Sequence, residues 1–271
     1  MSIQKAIFNR TERLVGEASM ERIAATRVII FGIGGVGSWV AESLVRSGIG
    51  HLTLVDSDRV CITNVNRQCP ATMRTIGMVK VDAMKSRLLD INPKVEIEAI
   101  QDIYSAETKD AFHLEVYDYV VDAIDSLENK AELIRHATSL PSHVRFFSSM
   151  GAALKMDPTQ IRVNEFWNVK GCPLARALRQ KFKRTKQFPR RKFQVVYSPE
   201  VLPNLGAVHT CGTDACMCPK AENGPGRQDL LNHEWCSTKA QINGTMAHTT
   251  AIFGFTLAGL IMQDIVFAKV L

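Results

Sequence analysis

A glycine-rich run near the start of the chain has the spacing of a phosphate-binding turn. Gly32, Gly34 and Gly37 satisfy the pattern G-x-G-x-x-G, with Gly35 between them, and Asp56 follows Gly37 by 19 residues. Glycines let the backbone approach a phosphate group, and the start of the next helix supplies partial positive charge. An acid at this distance typically holds a ribose hydroxyl. The run predicts a nucleotide site. Taken alone it favours NAD over a structural turn without a ligand.

Polar and basic residues beyond the glycine run indicate ATP instead of NAD. Attack on the α-phosphorus of ATP builds negative charge on the phosphate oxygens and on the departing pyrophosphate, whereas hydride transfer needs no cations there. Arg67 and Lys80 are suited to stabilise that charge, with Asn64 as a neutral donor. The alternative for each basic residue is a solvated surface charge. The candidate ATP-binding residues in this segment are Asp58, Asn64, Arg67, Gln68 and Lys80.

Two acids and a serine follow a predicted strand further along the chain. Asp122 is near the end of the strand, and Asp125 and Ser126 come directly after it. ATP brings Mg²⁺, a hard cation that requires oxygen ligands. We therefore assign Asp125 to magnesium and Ser126 to the nucleotide. For Asp122, the alternative to magnesium binding is a structural or helix-capping role.

Strands and helices alternate around these residues. The patterns predict strands at 27–31, 51–56, 95–100, 119–123 and 144–147, and a further one at 160–166. Helices are predicted at 36–47, 79–89 and 126–136. This alternation predicts an α/β fold with a Rossmann-like, doubly wound, mostly parallel sheet. Ligands of such sheets bind beyond the carboxyl ends of the strands.

The regular alternation fades in the second half of the chain. We predict an ATP-binding adenylation domain over 1–165 and a basic, loop-rich C-terminal elaboration over 166–271, with loops at 199–235. The apolar stretch 251–262 is shorter than a membrane span and predicts a buried core helix. The chain is therefore interpreted as one elaborated domain without a membrane span.

Composition limits the class of protein. The 271 residues are 46% hydrophobic and 22% charged, which is typical of globular proteins and excludes disordered and fibrous classes. The cysteines number seven, and no secretory signal is recognisable in the sequence. An odd count without such a signal argues against a disulfide framework. These features predict a reducing, cytoplasmic location.

The net charge of +6 is concentrated in one segment without an acid. Such a segment suits a polyanionic partner, and a solvated or disordered charge run is the alternative. Phe182, Phe188 and Phe193 are interleaved with the basic residues, where they would either stack on bases or pack beneath the segment. The basic residues are Arg176, Arg179, Lys181, Lys183, Arg184, Lys186, Arg190, Arg191 and Lys192.

Together these motifs resemble the E1-like adenylating superfamily, whose members use ATP to activate the carboxyl termini of ubiquitin and of sulfur-carrier proteins. The resemblance rests on residues 32–38, 56–58 and 64–68 with Lys80 and Asp125. It implies ATP and Mg²⁺ as cofactors and Arg67, Lys80 and Asp125 as catalytic residues. It also implies a homodimer and an N-terminal arginine that reaches the phosphates. Arg13 is the best match for this arginine and Arg10 the alternative.

The second half is similar to one branch, the tRNA threonylcarbamoyladenosine dehydratases. The similar features are Gly151, residues 157–161 and 173–175, and the apolar C-terminal helix. The resemblance implies that ATP activates the threonyl carboxylate of a modified adenosine in tRNA. A group of the same side chain then displaces AMP to close a ring, with net loss of water. It also implies that the basic segment contacts tRNA.

Other activities remain open from the sequence. One is adenylation of a ubiquitin-like or sulfur-carrier protein, which would make such a carrier a partner, and others are a regulatory nucleotide-binding module and an NAD oxidoreductase. The late cysteines lack the doubled Cys-x-x-Cys pairs of the sulfur-carrier branch. They could bind zinc with His209 or His233, provide Cys236 as a nucleophile, or have no ligand. These cysteines are Cys211, Cys216, Cys218 and Cys236.

Overall fold

Seven strands form one mixed sheet in the computed structural model, which describes residues 3–206, 225–233 and 243–267. Their order is β3-β2-β1-β4-β5-β7-β6, and every neighbouring pair is parallel except β6 and β7. The order reverses between β1 and β4, where ligands of doubly wound sheets bind. The strands are β1 Arg27–Phe31, β2 His51–Val55, β3 Glu96–Ile100, β4 Tyr119–Asp122, β5 Arg145–Ser149, β6 Arg162–Glu165 and β7 Gln194–Tyr197.

Helices cover both faces of the sheet. Helices α4, α5 and α8 pack on one face, and α6 and α7 pack on the other. The helices of the described residues are α1 Ile3–Ile7, α2 Asn9–Val15, α3 Glu17–Ala25, α4 Gly37–Ser47, α5 Lys80–Ile91, α6 Leu127–Ser139, α7 Pro173–Thr185 and α8 Ala247–Phe267.

The central strand β1 is apolar from Val28 to Phe31 because both of its faces are covered. Val28 and Ile30 pack into the cluster formed with α4, α5 and α8, whereas Ile29 and Phe31 pack into the cluster formed with α6 and α7. Successive side chains of a strand point to opposite faces, so a strand covered on both faces needs an apolar residue at every position. Burial of each such side chain stabilises the fold by about 1.5–3 kcal/mol.

Helix α8 belongs to the core cluster and lies along α4. The predicted core helix over 251–262 falls within α8, and nine residues of α8 are buried. Gly254 allows the close approach, because a Cβ there would lie 2.7 Å from the Cβ of Trp39 and 2.8 Å from the carbonyl oxygen of Val36. Within the described residues, α8 is long and apolar enough to cross a membrane by length and composition.

The predicted α/β, doubly wound and mostly parallel sheet is confirmed, with most element bounds within three residues of the prediction. The sequence patterns did not predict the N-terminal helices α1 to α3, helix α7 in the basic segment, or strand β7. Strand β7 lies beyond the predicted boundary at residue 165 and pairs with both β5 and β6. The sheet therefore includes residues of both predicted parts.

Candidate active site

A cavity of about 1200 Å³ opens at the carboxyl ends of β1, β2, β4 and β5. Ligand pockets usually measure about 300–1,000 Å³, so this cavity has room for a nucleotide and a second reactant. The structure brings most of the candidate ATP-binding residues to its wall. These are Gly32, Gly34, Gly35, Asp56, Asp58, Asn64, Arg67, Gln68, Lys80, Asp125 and Ser126.

The glycine turn is tightly folded and is held by Asp56. Gly37 begins α4 behind the cavity wall, where a Cβ would lie 1.9 Å from the carbonyl oxygen of Gly32. Any other residue at this position would displace the turn. Asp56 Oδ2 accepts a hydrogen bond from the backbone N–H of Ile33 at 2.7 Å. The acid that follows β2 therefore fixes the glycine turn at the cavity wall.

Lys80 forms a buried ion-pair cluster with two acids. Its Nζ lies 3.1 Å from Asp56 Oδ1 and 2.9 Å from Asp58 Oδ2. Burial by itself would lower the pKa of Lys80, but the two carboxylates more than offset that effect, and the pKa lies above its usual value. Lys80 is therefore a fixed cation at the cavity wall, beside the end of β2.

The segment between β2 and α5 contributes an arginine and two amides. Arg67 Nη1 donates to the carbonyl oxygen of Thr63 at 2.7 Å, and Asn64 Oδ1 accepts from the N–H of Cys61 at 3.0 Å. Gln68 Oε1 is buried without a hydrogen-bond partner among the described residues. An acceptor of this kind at a cavity wall suits a ligand N–H or O–H. Together with the glycine turn and the cations, these donors and acceptors fit ATP.

Strand β4 ends in a buried ion pair that supports the turn to Asp125. Lys130 Nζ lies 2.8 Å from Asp122 Oδ2 and donates to the carbonyl oxygen of Ile124 at 2.9 Å. Ser148 Oγ also donates to Asp122 Oδ2, at 2.7 Å. Asp122 is thus a structural residue, and Asp125, three positions later, lines the cavity. The carboxylate of Asp125 fits Mg²⁺ bound together with ATP.

Two buried lysines beside the cavity, Lys130 and Lys155, were not predicted from the sequence. Lys130 occupies the helical face that also buries Ile134 and Ala137, four and seven positions later. A lysine on an otherwise apolar face was a signal that could have identified it. Lys155 lies in an irregular loop after β5, where no periodicity marks a side chain as buried.

The two N-terminal arginines lie away from the cavity of their own chain. Arg13 is an exposed residue of α2 that donates to Asn9 Oδ1 at 3.2 Å, and Arg10 is exposed on the same helix. Neither residue is part of the cavity wall. The role predicted for Arg13 therefore requires an arrangement other than the single chain.

The basic segment forms helix α7 and the loop after it. Arg179 donates to the carbonyl oxygen of Phe166 at 3.1 Å, Lys181 pairs with Glu128, and Arg191 donates to the carbonyl oxygens of Ala137, Pro141 and Val144. These three basic residues therefore support the fold. The remaining six are exposed. They are Arg176, Lys183, Arg184, Lys186, Arg190 and Lys192.

The three phenylalanines of the segment divide in the same way. Phe182 and Phe193 are buried in the core cluster beneath α6 and α7, so stacking on bases is excluded for these two side chains. Phe188 is 50% exposed and packs at 6.2 Å against the ring of Trp167. Phe188 is the aromatic residue of the segment that can meet a base.

The structure describes three of the seven cysteines, Cys61, Cys69 and Cys172, which are buried thiols without a disulfide. The predictions for Cys211, Cys216, Cys218 and Cys236 lie outside the described residues. Among the residues that are described, no group of three or more His, Cys, Asp and Glu side chains is placed to hold a metal ion.

Comparison with known proteins identifies the family. The sequence pattern of the ThiF family matches residues 8–266. The chain belongs to the ThiF family. The ThiF match begins just before α2 and ends in α8, so it includes the glycine turn, the segment with Arg67 and Lys80, and the basic helix α7. The E1-like resemblance of the sequence is thereby confirmed.

Similar proteins place the chain more narrowly within the ThiF family. The tRNA threonylcarbamoyladenosine dehydratase of Bacillus subtilis is 40% identical over 193 residues, which is 71% of this chain and 74% of the relative. The dehydratase of that name from Escherichia coli is 34% identical over 258 residues, 92% and 89% of the two chains. A crystal structure of the E. coli dehydratase in complex with ATP matches with a TM-score of 0.76 and 30% identity, and covers 96% of this chain and 94% of that one.

Proposed function

We propose that this ThiF family protein is an ATP-dependent tRNA threonylcarbamoyladenosine dehydratase. One observation carries the proposal. The glycine turn, the cations Arg67 and Lys80, and Asp125 line one cavity in a chain that is similar over 92% of its length to the E. coli dehydratase. The E. coli structure with ATP supports ATP as the nucleotide. The tRNA substrate is in keeping with the cytoplasmic location predicted from the sequence.

The proposed reaction has two steps that balance without a further reactant. A carboxylate oxygen of the threonyl group attacks the α-phosphorus of ATP, the bond to the β-phosphate oxygen breaks, and pyrophosphate leaves. A nucleophilic group of the same side chain then attacks the acyl carbon, loses its proton, and displaces AMP. The second step gains from proximity because both groups belong to one molecule, so no enzyme cysteine is needed. The nucleoside loses one water overall.

Arg67, Lys80 and Asp125 carry the first step in this proposal. Arg67 and Lys80 stabilise the negative charge that develops on the phosphate oxygens and the leaving pyrophosphate. Asp125 holds Mg²⁺, which supplies further positive charge at the phosphates. Gln68 accepts a hydrogen bond from the nucleotide through its buried Oε1. The assignment of Mg²⁺ rests on the carboxylate chemistry of Asp125 after the end of β4.

Helix α7 connects the cavity to the proposed tRNA surface. Its first residues, Pro173 and Leu174, line the cavity, and Lys183 and Arg184 are exposed in its last turn. A helix of 13 residues is about 20 Å long, so these cations lie within reach of an RNA stem whose modified base enters the cavity. Contacts of this kind bind phosphates and carry no sequence information.

We infer that the active enzyme is a homodimer in which Arg13 completes the site of the other copy. The inference rests on the position of Arg13, which is exposed on α2 and outside the cavity of its own chain. An arginine supplied by a second copy would add a cation beside the phosphates. Mixing Arg13→Ala chains with Lys80→Ala chains tests this arrangement, because one site of the mixed dimer would regain both residues. Failure of the mixture to recover activity would count against it.

Incubation with ATP, Mg²⁺ and tRNA that carries threonylcarbamoyladenosine tests the proposed activity. Mass spectrometry of the digested tRNA should show a nucleoside lighter by one water, with one AMP formed for each nucleoside. An unchanged nucleoside mass, together with adenylation of a small carrier protein, would replace the proposal by carrier activation. ATP without tRNA should give no AMP above background.

A further inference from the structure

One part of the cavity lies beyond the candidate ATP-binding residues. Those residues follow β1, β2 and β4, whereas the loop 151–155 follows β5, and Cys172 to Leu174 lie at the start of α7. Since β5 lies next to β4 on the side away from β2, this part of the cavity adjoins the nucleotide and is left for the second reactant. We call it the β5 side of the cavity.

Among the described residues that line the cavity, Lys155 is the basic residue on the β5 side. Of the four other basic residues, Arg59 and Arg67 come from the segment between β2 and α5, and Lys80 begins α5. The fourth, Arg227, pairs with Asp102 at 2.7 Å beyond the end of β3. The described cavity wall therefore offers one cation where the second reactant would lie.

Lys155 differs from the two other buried lysines in its partners. Lys80 and Lys130 each pair with carboxylates within 3.1 Å. Lys155 is 4% exposed and donates to the carbonyl oxygen of Glu200, and among the described residues it has no ion pair within 4.0 Å. Burial lowers its pKa below the usual value. Glu200 and Cys172 act in the opposite direction and only partly offset the effect of burial on this pKa. A buried ammonium normally has an anionic partner in an ion pair, so the surroundings of Lys155 suit an anionic ligand.

The loop that carries Lys155 is held by two distant segments. Leu154, its neighbour, has a left-handed backbone with a φ of 60°, which is unfavourable for a branched side chain. Its N–H donates to the carbonyl oxygen of Gly244 at 2.9 Å, and its carbonyl oxygen accepts from the N–H of Leu202 at 2.9 Å. Glu200 Oε2 accepts from the N–H of Met156 at 2.8 Å. Strained backbone that is held this firmly is typical of functional sites.

We propose that Lys155 binds the carboxylate of the substrate and thereby selects the acid that is adenylated. This inference rests on the proposed function and assigns the substrate-recognising residue within it. The ammonium pairs with one carboxylate oxygen while the other attacks the α-phosphorus. After adenylation it donates to the acyl oxygen, where negative charge develops as the ring closes. Neither step requires a proton or electron from another source.

The test compares two RNA ligands that differ only in the charged group. Anticodon stem-loops carry threonylcarbamoyladenosine either as the free acid or as its carboxamide, and their affinities are measured with a non-hydrolysable ATP analogue present. The unmodified protein should prefer the acid by about 10- to 100-fold, the range expected for a charge-assisted hydrogen bond. Lys155→Met should bind both ligands equally, within about twofold, and Lys155→Arg should recover part of the preference.

Controls separate recognition from folding. Lys94→Met removes an exposed lysine that does not line the cavity and should keep the full preference for the acid. ATP affinity of Lys155→Met should stay within about twofold of the unmodified protein. If Lys155→Met does not fold, Lys155→Gln keeps a donor for the Glu200 carbonyl oxygen without the charge and gives the same comparison. A retained preference for the acid in the folded variant overturns the proposal.

Measurements on the unmodified protein separate a failure of the proposed function from a failure of the Lys155 assignment. If it forms no product lighter by one water and does not prefer the modified stem-loop over an unmodified one, the proposed function fails. If it does both and the Lys155 variants still prefer the acid, only the assignment of Lys155 fails.

Discussion

Lys130 Nζ lies 2.8 Å from Asp122 Oδ2, and both side chains are fully buried beneath the turn that leads to Asp125. The same ammonium donates to the carbonyl oxygen of Ile124. One lysine of α6 thus neutralises the acid that ends β4 and fixes the backbone next to the predicted magnesium ligand. We expect Lys130 to contribute to the free energy of unfolding as well as to catalysis.

Replacement of Lys130 by methionine should lower the free energy of unfolding by about 3–5 kcal/mol, because it leaves Asp122 buried without its partner. Urea unfolding followed by circular dichroism measures this change. The double variant Lys130→Met with Asp122→Asn removes both charges and should be more stable than Lys130→Met alone. A single variant as stable as the unmodified protein would contradict the buried pair.

Substitution of Gly37 by alanine should abolish ATP binding, because the new Cβ would lie 1.9 Å from the carbonyl oxygen of Gly32 and displace the glycine turn. Equilibrium binding of ATP measures the effect. Gly259 in α8 offers a matched control, since apart from its chain neighbours and the backbone of its own helix nothing lies within 4 Å of an added Cβ there. Gly259→Ala should bind ATP normally and gain up to about 1 kcal/mol of stability from helix propensity.

Replacement of Arg67 by alanine should reduce AMP formation by about 100- to 1,000-fold, the usual cost of one donor that stabilises developing charge. Quantification of AMP with saturating ATP and modified tRNA measures the loss. Arg74→Ala, which removes an exposed arginine of the same segment, is the control and should keep full activity. Equal losses in both variants would show that the charge of the segment matters rather than the position of Arg67.

Charge reversal at Lys183 and Arg184 should weaken tRNA binding while ATP affinity stays unchanged. Binding titrations at several salt concentrations should also show a shallower salt dependence, because fewer counterions are released from the RNA. Arg191→Ala should behave differently, since its guanidinium donates to three carbonyl oxygens and its loss destabilises the fold. A parallel loss of ATP binding in the charge-reversed variant would contradict a separate tRNA surface.

Acid should destabilise the protein through Glu42. Burial by itself would raise the pKa of this carboxyl, but hydrogen bonds from Arg87, Cys69 and Arg46 lower it to about 2, compared with 4.5 in the unfolded chain. The stabilisation is therefore complete above pH 4.5 and is lost as the pH falls through 2. The difference between the two pKa values corresponds to about 3 kcal/mol in the free energy of unfolding. Urea unfolding between pH 6 and pH 2 should show a smaller decline in Glu42→Gln than in the unmodified protein.

Much of the nucleotide part of the site could be predicted because its signals are local. The spacing of Gly32, Gly34 and Gly37 reflects a single turn, and the alternation of apolar strands and helices reflects their burial one element at a time. Arg67 and Lys80 were identified by their types and by their place after the second strand. The structure then brought residues from three strand ends to one cavity, as the topology of a doubly wound sheet requires.

Helix α7 and strand β7 were harder to predict because their surroundings override their composition. The buried face of α7 contains Ala175, Leu178 and Phe182, but the many cations around these residues indicated a segment that binds a polyanion and gave no helical period. Strand β7 is only four residues long, which is too short for a clear period. Both elements are stabilised by contacts with residues before position 166, because α7 packs on α6 and β7 pairs with β5 and β6.

The sequence by itself determined the fold class, the nucleotide turn and the family, since each depends on residue types at short spacings. Only the tertiary structure decided which charges are structural and which face a ligand. Lys130 and Lys155 are both lysines near the cavity, yet one is neutralised by Asp122 and the other is held by a backbone carbonyl of Glu200. The difference arises from partners 8 and 45 positions away along the chain, and burial makes the presence of a counter-charge decisive.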